Sequence, residues 1–432
     1  MMAVAATFLA GAGSRLLPPS IPFRFFGAAV AFHVVAWLAA LAGADGLPTF
    51  AGGLGWPLAA LHAATLGVLA MTAIGASLQL FPVATRRPIA HAGLAAAVFW
   101  AYVPGVALVV AGMGLPSTAL LGAGAVAVAV ALLVFVALFA LNLSGAKGMP
   151  LVVAHGTVAA LSLAATLATA LAVVGAYALG LPVDRVKLVA LHLALAGYGF
   201  MGMLALGLSY VLVPMFALSE SPPAHRGWAS FALASFALAL SVPAALGVLP
   251  GVLGVAAAGF GAVAAILHVQ LMREAIAHGL RRELGPGFRL ARIAWAALVA
   301  SLVVALAIAL DAPWPALRTL FGATLVAGWL LSFVLGILQR IVPFLASMHA
   351  ARGKRRPPTP SSLTAERPLA WHFRLHVAAL ALLAAAIVAG SGPVAAAAGA
   401  VGAAGALAYA TFFVVAVRRM TASIIDAERG KR

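Results

Sequence analysis

Twelve stretches of 21 to 31 residues, each apolar and poor in charge, leave this chain one environment in which to fold. They fall at roughly 22–44, 56–81, 88–113, 117–143, 151–178, 187–216, 227–249, 251–277, 289–310, 316–346, 370–390 and 392–417. Each is long enough for an α-helix to cross the bilayer's hydrocarbon core of about 30 Å. With 65% hydrophobic and 8% charged residues among 432, and a mean hydropathy of +1.13, too little polar surface remains to cover a water-soluble globule. The expected fold is an all-α integral membrane protein of twelve transmembrane helices, because a helix satisfies its own backbone in lipid. The opening residues, MMAVAATFLAGAGSR, have no basic segment before their apolar run. They are therefore expected to be retained rather than cleaved as a signal peptide.

Three of these helices close on the same pattern, a glycine and a proline seven positions later. Gly75 to Pro82 reads GASLQLFP, Gly207 to Pro214 reads GLSYVLVP and Gly336 to Pro343 reads GILQRIVP. The prolines lie 132 and 129 residues apart, a period that signals internal repetition. A single transmembrane domain over 1–432 is expected, in three pseudo-symmetric four-helix units near 1–146, 147–249 and 250–432. In each signature the proline is expected to end the helix, and the glycine to admit a neighbouring helix closely. Gln79, Tyr210 and Gln339 recur near the same end and are expected to bond the carbonyls that proline frees.

The formal charge of +17 is a matter of topology. Of 26 Lys and Arg residues, 23 fall on one side of the alternating connections and only Arg185, Lys187 and Arg318 on the other. By the positive-inside rule both termini are cytoplasmic. The basic connections, including REAIAHGLRRELGPGFRLAR and ARGKRRPPTPSSLTAERP, then face anionic lipid, and nucleic acid is not an expected partner. The second of these reads as a basic, proline-rich surface loop, and the first as helix 8 extended into the cytoplasm until GPG breaks it.

Cysteine is absent, which excludes disulfides, thiolate metal sites and cysteine nucleophiles. No Asp, Glu or Lys lies well inside a span, which argues against a proton-driven pump. Histidine remains as the candidate ligand. His91, His155, His225, His268, His278, His349, His372 and His376 lie at or near cytoplasmic ends and read as anchors or hydrogen-bond partners. His33 falls near the middle of helix 1. His62 and His192 lie towards the outer ends of helices 2 and 6, 13 and 15 residues before the repeat glycines, where helix 10 has Ala323 and Phe321. A pair of imidazoles at similar depth suits an axial haem or copper site.

Twelve helices in three arcs, with histidines in the outer halves of helices 2 and 6, resemble subunit I of the haem–copper oxidase superfamily. That resemblance implies three pores lined by the second, sixth and tenth helices, with His62 matching a haem ligand and His192 a copper ligand. Helix 7, WASFALASFALALSVPAALG, and helix 10, FGATLVAGWLLSFVLG, carry none of the family's remaining histidines. Position 196, four after His192, is alanine, and the nearest tyrosine is Tyr198. The FRFF at Phe23 to Phe26, with histidines in helices 2 and 6, is also similar to NnrS-type haem- and copper-containing membrane proteins, whose helix 2 motif is reduced here to LHAAT.

The expected function is that of a bacterial inner-membrane protein binding haem b or copper through His62 and His192, in electron transfer, gas sensing or metal and haem handling. It is not expected to be an oxygen-reducing enzyme. Two other readings stay open, a cofactor-free transporter or channel and an assembly subunit docked on a respiratory-chain partner.

Overall fold

The computed structural model describes residues 15, 17–281, 283–351 and 358–429. The opening segment up to residue 14, and the 352–357 part of the basic proline-rich loop, lie outside the described residues. Twelve helices have the length and hydropathy of membrane spans: α1 (Ser20–Ala42), α2 (Trp56–Ala84), α3 (Ala92–Gly114), α4 (Thr118–Ser144), α5 (Pro150–Ala178), α6 (Arg185–Ala217), α7 (Ala224–Ala245), α8 (Pro250–Ala277), α9 (Gly285–Ala309), α10 (Leu317–Ala350), α11 (Glu366–Ala389) and α12 (Gly392–Ile425). There is no strand among the described residues. The chain is a multi-pass, all-α membrane protein.

The α2, α6 and α10 helices form the enclosed part of the bundle. Of their most apolar windows, 72%, 89% and 61% is buried, against 11% for α7 and 22% for α8. Large apolar side chains such as Leu161, Val186, Val252 and Leu249 stand exposed on the outer surface, as lipid-facing positions must. Each enclosed helix is interrupted by a π-helical stretch, at Ala63–Ala70, Ala194–Gly202 and Ala323–Leu331. The π segment of α10 touches those of both α2 and α6. Such i→i+5 turns widen a helix locally and leave backbone carbonyls for side-chain donors. Ser332 uses one, donating to the Ala327 carbonyl at 3.0 Å.

The repeat glycines do one job three times. A Cβ on Gly75 would lie 2.9 Å from Phe25 Cβ of α1, one on Gly207 2.5 Å from His155 Cβ of α5, and one on Gly336 2.5 Å from the Gly287 carbonyl of α9. Each glycine thus lets an enclosed helix press against the helix before it. Pro82 and Pro214 stand in the last turn of their helices, which end at Ala84 and Ala217 as expected, whereas α10 runs on from Pro343 to Ala350. Packing of the surrounding bundle holds the later turns in helical form despite the missing donor. Gln79, Tyr210 and Gln339 do not bond the freed carbonyls; Gln79 and the Tyr210 hydroxyl have no partner among the described residues, and Gln339 faces His372.

Consecutive helices pack in tight hairpins, α3 with α4, α7 with α8 and α11 with α12. Arg226 of α7 grips Glu274 of α8 through two hydrogen bonds of 2.7 and 3.1 Å, a bidentate geometry. The α7–α8 hairpin crosses residue 249, where the second unit was expected to end. The GPG sequence opens α9 rather than closing an extended α8, with Gly285 at φ +71° making the turn.

A methyl group added at Gly336 should force α9 and α10 apart, and Gly336→Ala is expected to destabilise the detergent-solubilised protein by about 1–3 kcal/mol. Gly322→Ala on the same helix, where the added carbon meets nothing within 4 Å, should leave the melting temperature unchanged or raised.

Candidate metal centre

Helices distant in sequence bring three histidines together. His33 stands on α1, while His372 and His376 stand one turn apart on α11, on the same helical face. All three are buried, at 1%, 0% and 1% exposure, and one ring nitrogen from each lies within 4.8 Å of the others. The His372 and His376 rings stack with centroids 5.4 Å apart, and the His33 ring lies 5.9 Å from the first and 6.4 Å from the second. Tyr409 of α12 covers the group, 4.8 Å from His372 and 6.1 Å from His33.

Small residues on α12 make the approach feasible. A Cβ on Gly402 would collide with the Trp37 ring of α1, and one on Gly405 would lie 3.2 Å from Leu375 Cβ of α11. With both positions glycine, α12 packs against α1 on one side and α11 on the other. The histidines of two flanking helices then meet beside it.

Hydrogen bonds fix two of the three tautomers. Ser332 gives its proton to the Ala327 carbonyl, so at 2.9 Å it accepts from His376 Nε2–H. That leaves His376 Nδ1 with a free lone pair. Trp37 Nε1–H donates to His33 Nε2 at 3.2 Å, so the neutral ring carries its proton on Nδ1, which is buried and without a partner. Gln339 lies 3.4 Å from His372 Nδ1 through its amide nitrogen, and its own Oε1 is unpartnered. Exchanging the two amide atoms, a choice governed by the hydrogen-bond network, makes Oε1 the acceptor from Nδ1–H and turns His372 Nε2 into a second free lone pair. Outer partners of this kind orient metal-binding imidazoles.

No carboxylate approaches the group. Every described Asp and Glu lies in a connection or in an outermost helical turn, including Asp45, Asp184, Asp311, Glu274 and Glu366. The triad is an uncharged set of nitrogen donors in an apolar interior.

The predicted pair, His62 and His192, is arranged differently. His62 Nδ1–H donates to the Leu58 carbonyl at 3.1 Å. His192 Nδ1 reaches the Thr166 carbonyl and Thr169 Oγ1, both at 3.3 Å. A carbonyl only accepts, so both rings keep their lone pair on Nε2. The two rings are half-buried. Each precedes a π segment of its helix by one or two residues.

Of the eight histidines expected as anchors at helix ends, His91, His225 and His278 are exposed, whereas His155, His268, His349, His372 and His376 are buried in the bundle. The four-residue spacing in HFRLH was the available signal for the last two, masked by the arginines around them. Set against protein families and against curated proteins, the chain matches none.

Proposed function

We propose that this multi-pass membrane protein is a metalloprotein that holds one copper ion in its cuprous form between His33, His372 and His376, serving electron transfer, gas sensing or metal handling rather than oxygen reduction. The observation that carries the reading is the meeting of three buried, uncharged imidazoles with no carboxylate beside them. Imidazole suits copper, zinc, iron and nickel, and charge selects among them. The idealised transfer of a unit charge into a medium of low dielectric costs on the order of 20 kcal/mol and grows with the square of the charge. Neutral ligands leave a divalent ion uncompensated, whereas a cuprous ion keeps the site at a single positive charge. At a metal–nitrogen distance of about 2.0–2.1 Å the nitrogens would stand about 3.3–3.6 Å apart, which a small side-chain adjustment reaches from 4.8 Å. A copper ion held by His33, His372 and His376 would supply one-electron chemistry.

Trp37 makes the site its own reporter. Bound at Nε2 of His33, a metal displaces the indole N–H; bound at Nδ1, it sends the ring proton to Nε2, where the indole can no longer donate. Either way the Trp37–His33 hydrogen bond breaks.

A second reading is supported by the free Nε2 atoms of His62 and His192, which suit two axial ligands of a haem b and follow the resemblance to haem–copper oxidases. The distribution of Lys and Arg supports a bacterial inner membrane with both termini in the cytoplasm and the basic connections on anionic lipid.

Anaerobic titration of the metal-free protein with Cu(I) should quench part of the tryptophan fluorescence. His376→Ala should lower the copper bound by one equivalent, and Trp37→Phe should keep the copper while losing that quenching; undiminished binding in His376→Ala rejects the triad. For the haem reading, an absorption spectrum of purified wild type should show a Soret band that His62→Ala weakens, and a featureless spectrum removes it. Because the chain has no cysteine, orientation can be read from single introduced cysteines. A membrane-impermeant thiol reagent applied to whole cells with a permeable outer membrane should label position 313 and spare position 147.

A further inference from the structure

Away from the triad, four buried polar atoms gather where α5, α6, α7 and α8 meet. They are Nε2 of His155, both ring nitrogens of His268 and the hydroxyl of Tyr210, all without hydrogen-bond partners among the described residues. The three side chains are 1%, 0% and 6% exposed. Tyr210 packs against both histidines, its ring 5.7 Å from His155 and 5.2 Å from His268, nearly perpendicular to the latter. Ser230 of α7 is within reach of the phenol; with its own proton on the Ala264 carbonyl, its oxygen can accept from the Tyr210 O–H, which leaves the phenol oxygen to act only as an acceptor.

Leaving a buried polar group without a partner is costly. Such groups in native proteins point to an internal water or ion, and here several share one place on three different helices. The donor set has a definite character. His155 donates Nδ1–H to the Leu151 carbonyl at 2.8 Å, so its orphaned Nε2 holds a lone pair and no proton. A neutral His268 has a lone pair on one nitrogen, and the phenol oxygen offers more. The backbone is shaped around them: a Cβ on Gly207 would press to 2.5 Å from His155 Cβ, and one on Gly227 would lie 3.4 Å from the Tyr210 ring.

Position within the helices gives an independent argument. Tyr210 is the third residue after Gly207, as Gln339 is the third after Gly336. Gln339 abuts His372 of the triad, and Tyr210 abuts His155 and His268. The same level of two helices sharing one sequence signature is thus flanked twice by buried histidines.

We propose that His155, His268 and Tyr210 form a second metal site, taking a single soft transition-metal ion such as Cu(I) through Nε2 of His155 and one nitrogen of His268, with the Tyr210 oxygen as a third, weaker contact. No residue is shared with the triad, so the two sites stand or fall separately.

The test is a competition titration of the full-length, metal-free protein in detergent with Cu(I) against a chromogenic cuprous chelator. Wild type should bind two equivalents and His268→Ala one, with Trp37 quenching intact as evidence that the fold and the triad survive. Tyr210→Phe, which removes a single oxygen, should weaken one of the two equivalents about 10- to 100-fold, in the range seen when a partner of a metal ligand is lost. The proposal is overturned if His268→Ala binds as much copper as wild type, or if wild type takes one equivalent that His376→Ala abolishes, in which case the cluster holds water. Should His268→Ala fail to fold, an unchanged pair of affinities in Tyr210→Phe overturns it equally. One equivalent lost in His268→Ala but kept in His376→Ala would uphold this site and reject the triad.

Discussion

Lipid offers no hydrogen bonds, and that one fact arranges the interior of this protein. A polar side chain on a spanning helix must find its partner inside the bundle or go without. Here the interior holds histidines, tyrosines, glutamines and hydroxyls but no carboxylate, so the usual partner for an imidazole is missing. Carbonyls take its place: Leu58 for His62, Leu151 for His155 and Thr166 for His192. Each such bond commits Nδ1 as the donor and leaves a lone pair on Nε2. The chain is thereby populated with ring nitrogens ready to accept a metal, without any need for a charged residue to prepare them.

Close approach of helices turns those single rings into groups. Glycine at 336 and 287 lets α9 and α10 meet through their backbones, and glycine at 402 and 405 lets α12 lie flat between α1 and α11. With dispersion contacts in place of a hydrophobic driving force, such close packing is what holds helices together in a bilayer. The glycines at 402 and 405 also bring the α1 and α11 histidines alongside one another, so that helix packing and the grouping of the rings depend on the same close contacts.

Spans were legible in the sequence because their signal is hydropathy over about twenty residues, which tertiary contacts do not alter. The end of α10 was less so, since a proline reads locally as a stop, while the packed bundle carries the helix past Pro343 to Ala350. The π stretches left no mark in composition. Depth of burial was the harder quantity. His372 and His376 lie among Arg367, Arg374 and Trp371, a neighbourhood that reads as interfacial, yet they occupy the opposite face from Arg374 and turn inward. His33 belongs with them only through an association across more than three hundred residues, which no local pattern encodes. His62 and His192 were noticed because they share a depth on helices bearing the same signature.

The Trp37–His33 bond has a consequence for how the protein is made. The α1 helix is synthesised ahead of its companions α11 and α12, which emerge more than 300 residues later, a wait of some tens of seconds at about 5–20 residues per second. Throughout that interval His33 would lie in the bilayer without the helices that later enclose it. Four residues along the same helix, the indole of Trp37 already offers its N–H, and needs nothing but α1 itself to do so. The nascent helix carries a provisional partner for its own buried imidazole, keeping it quiet until the last hairpin is inserted and the final companions arrive.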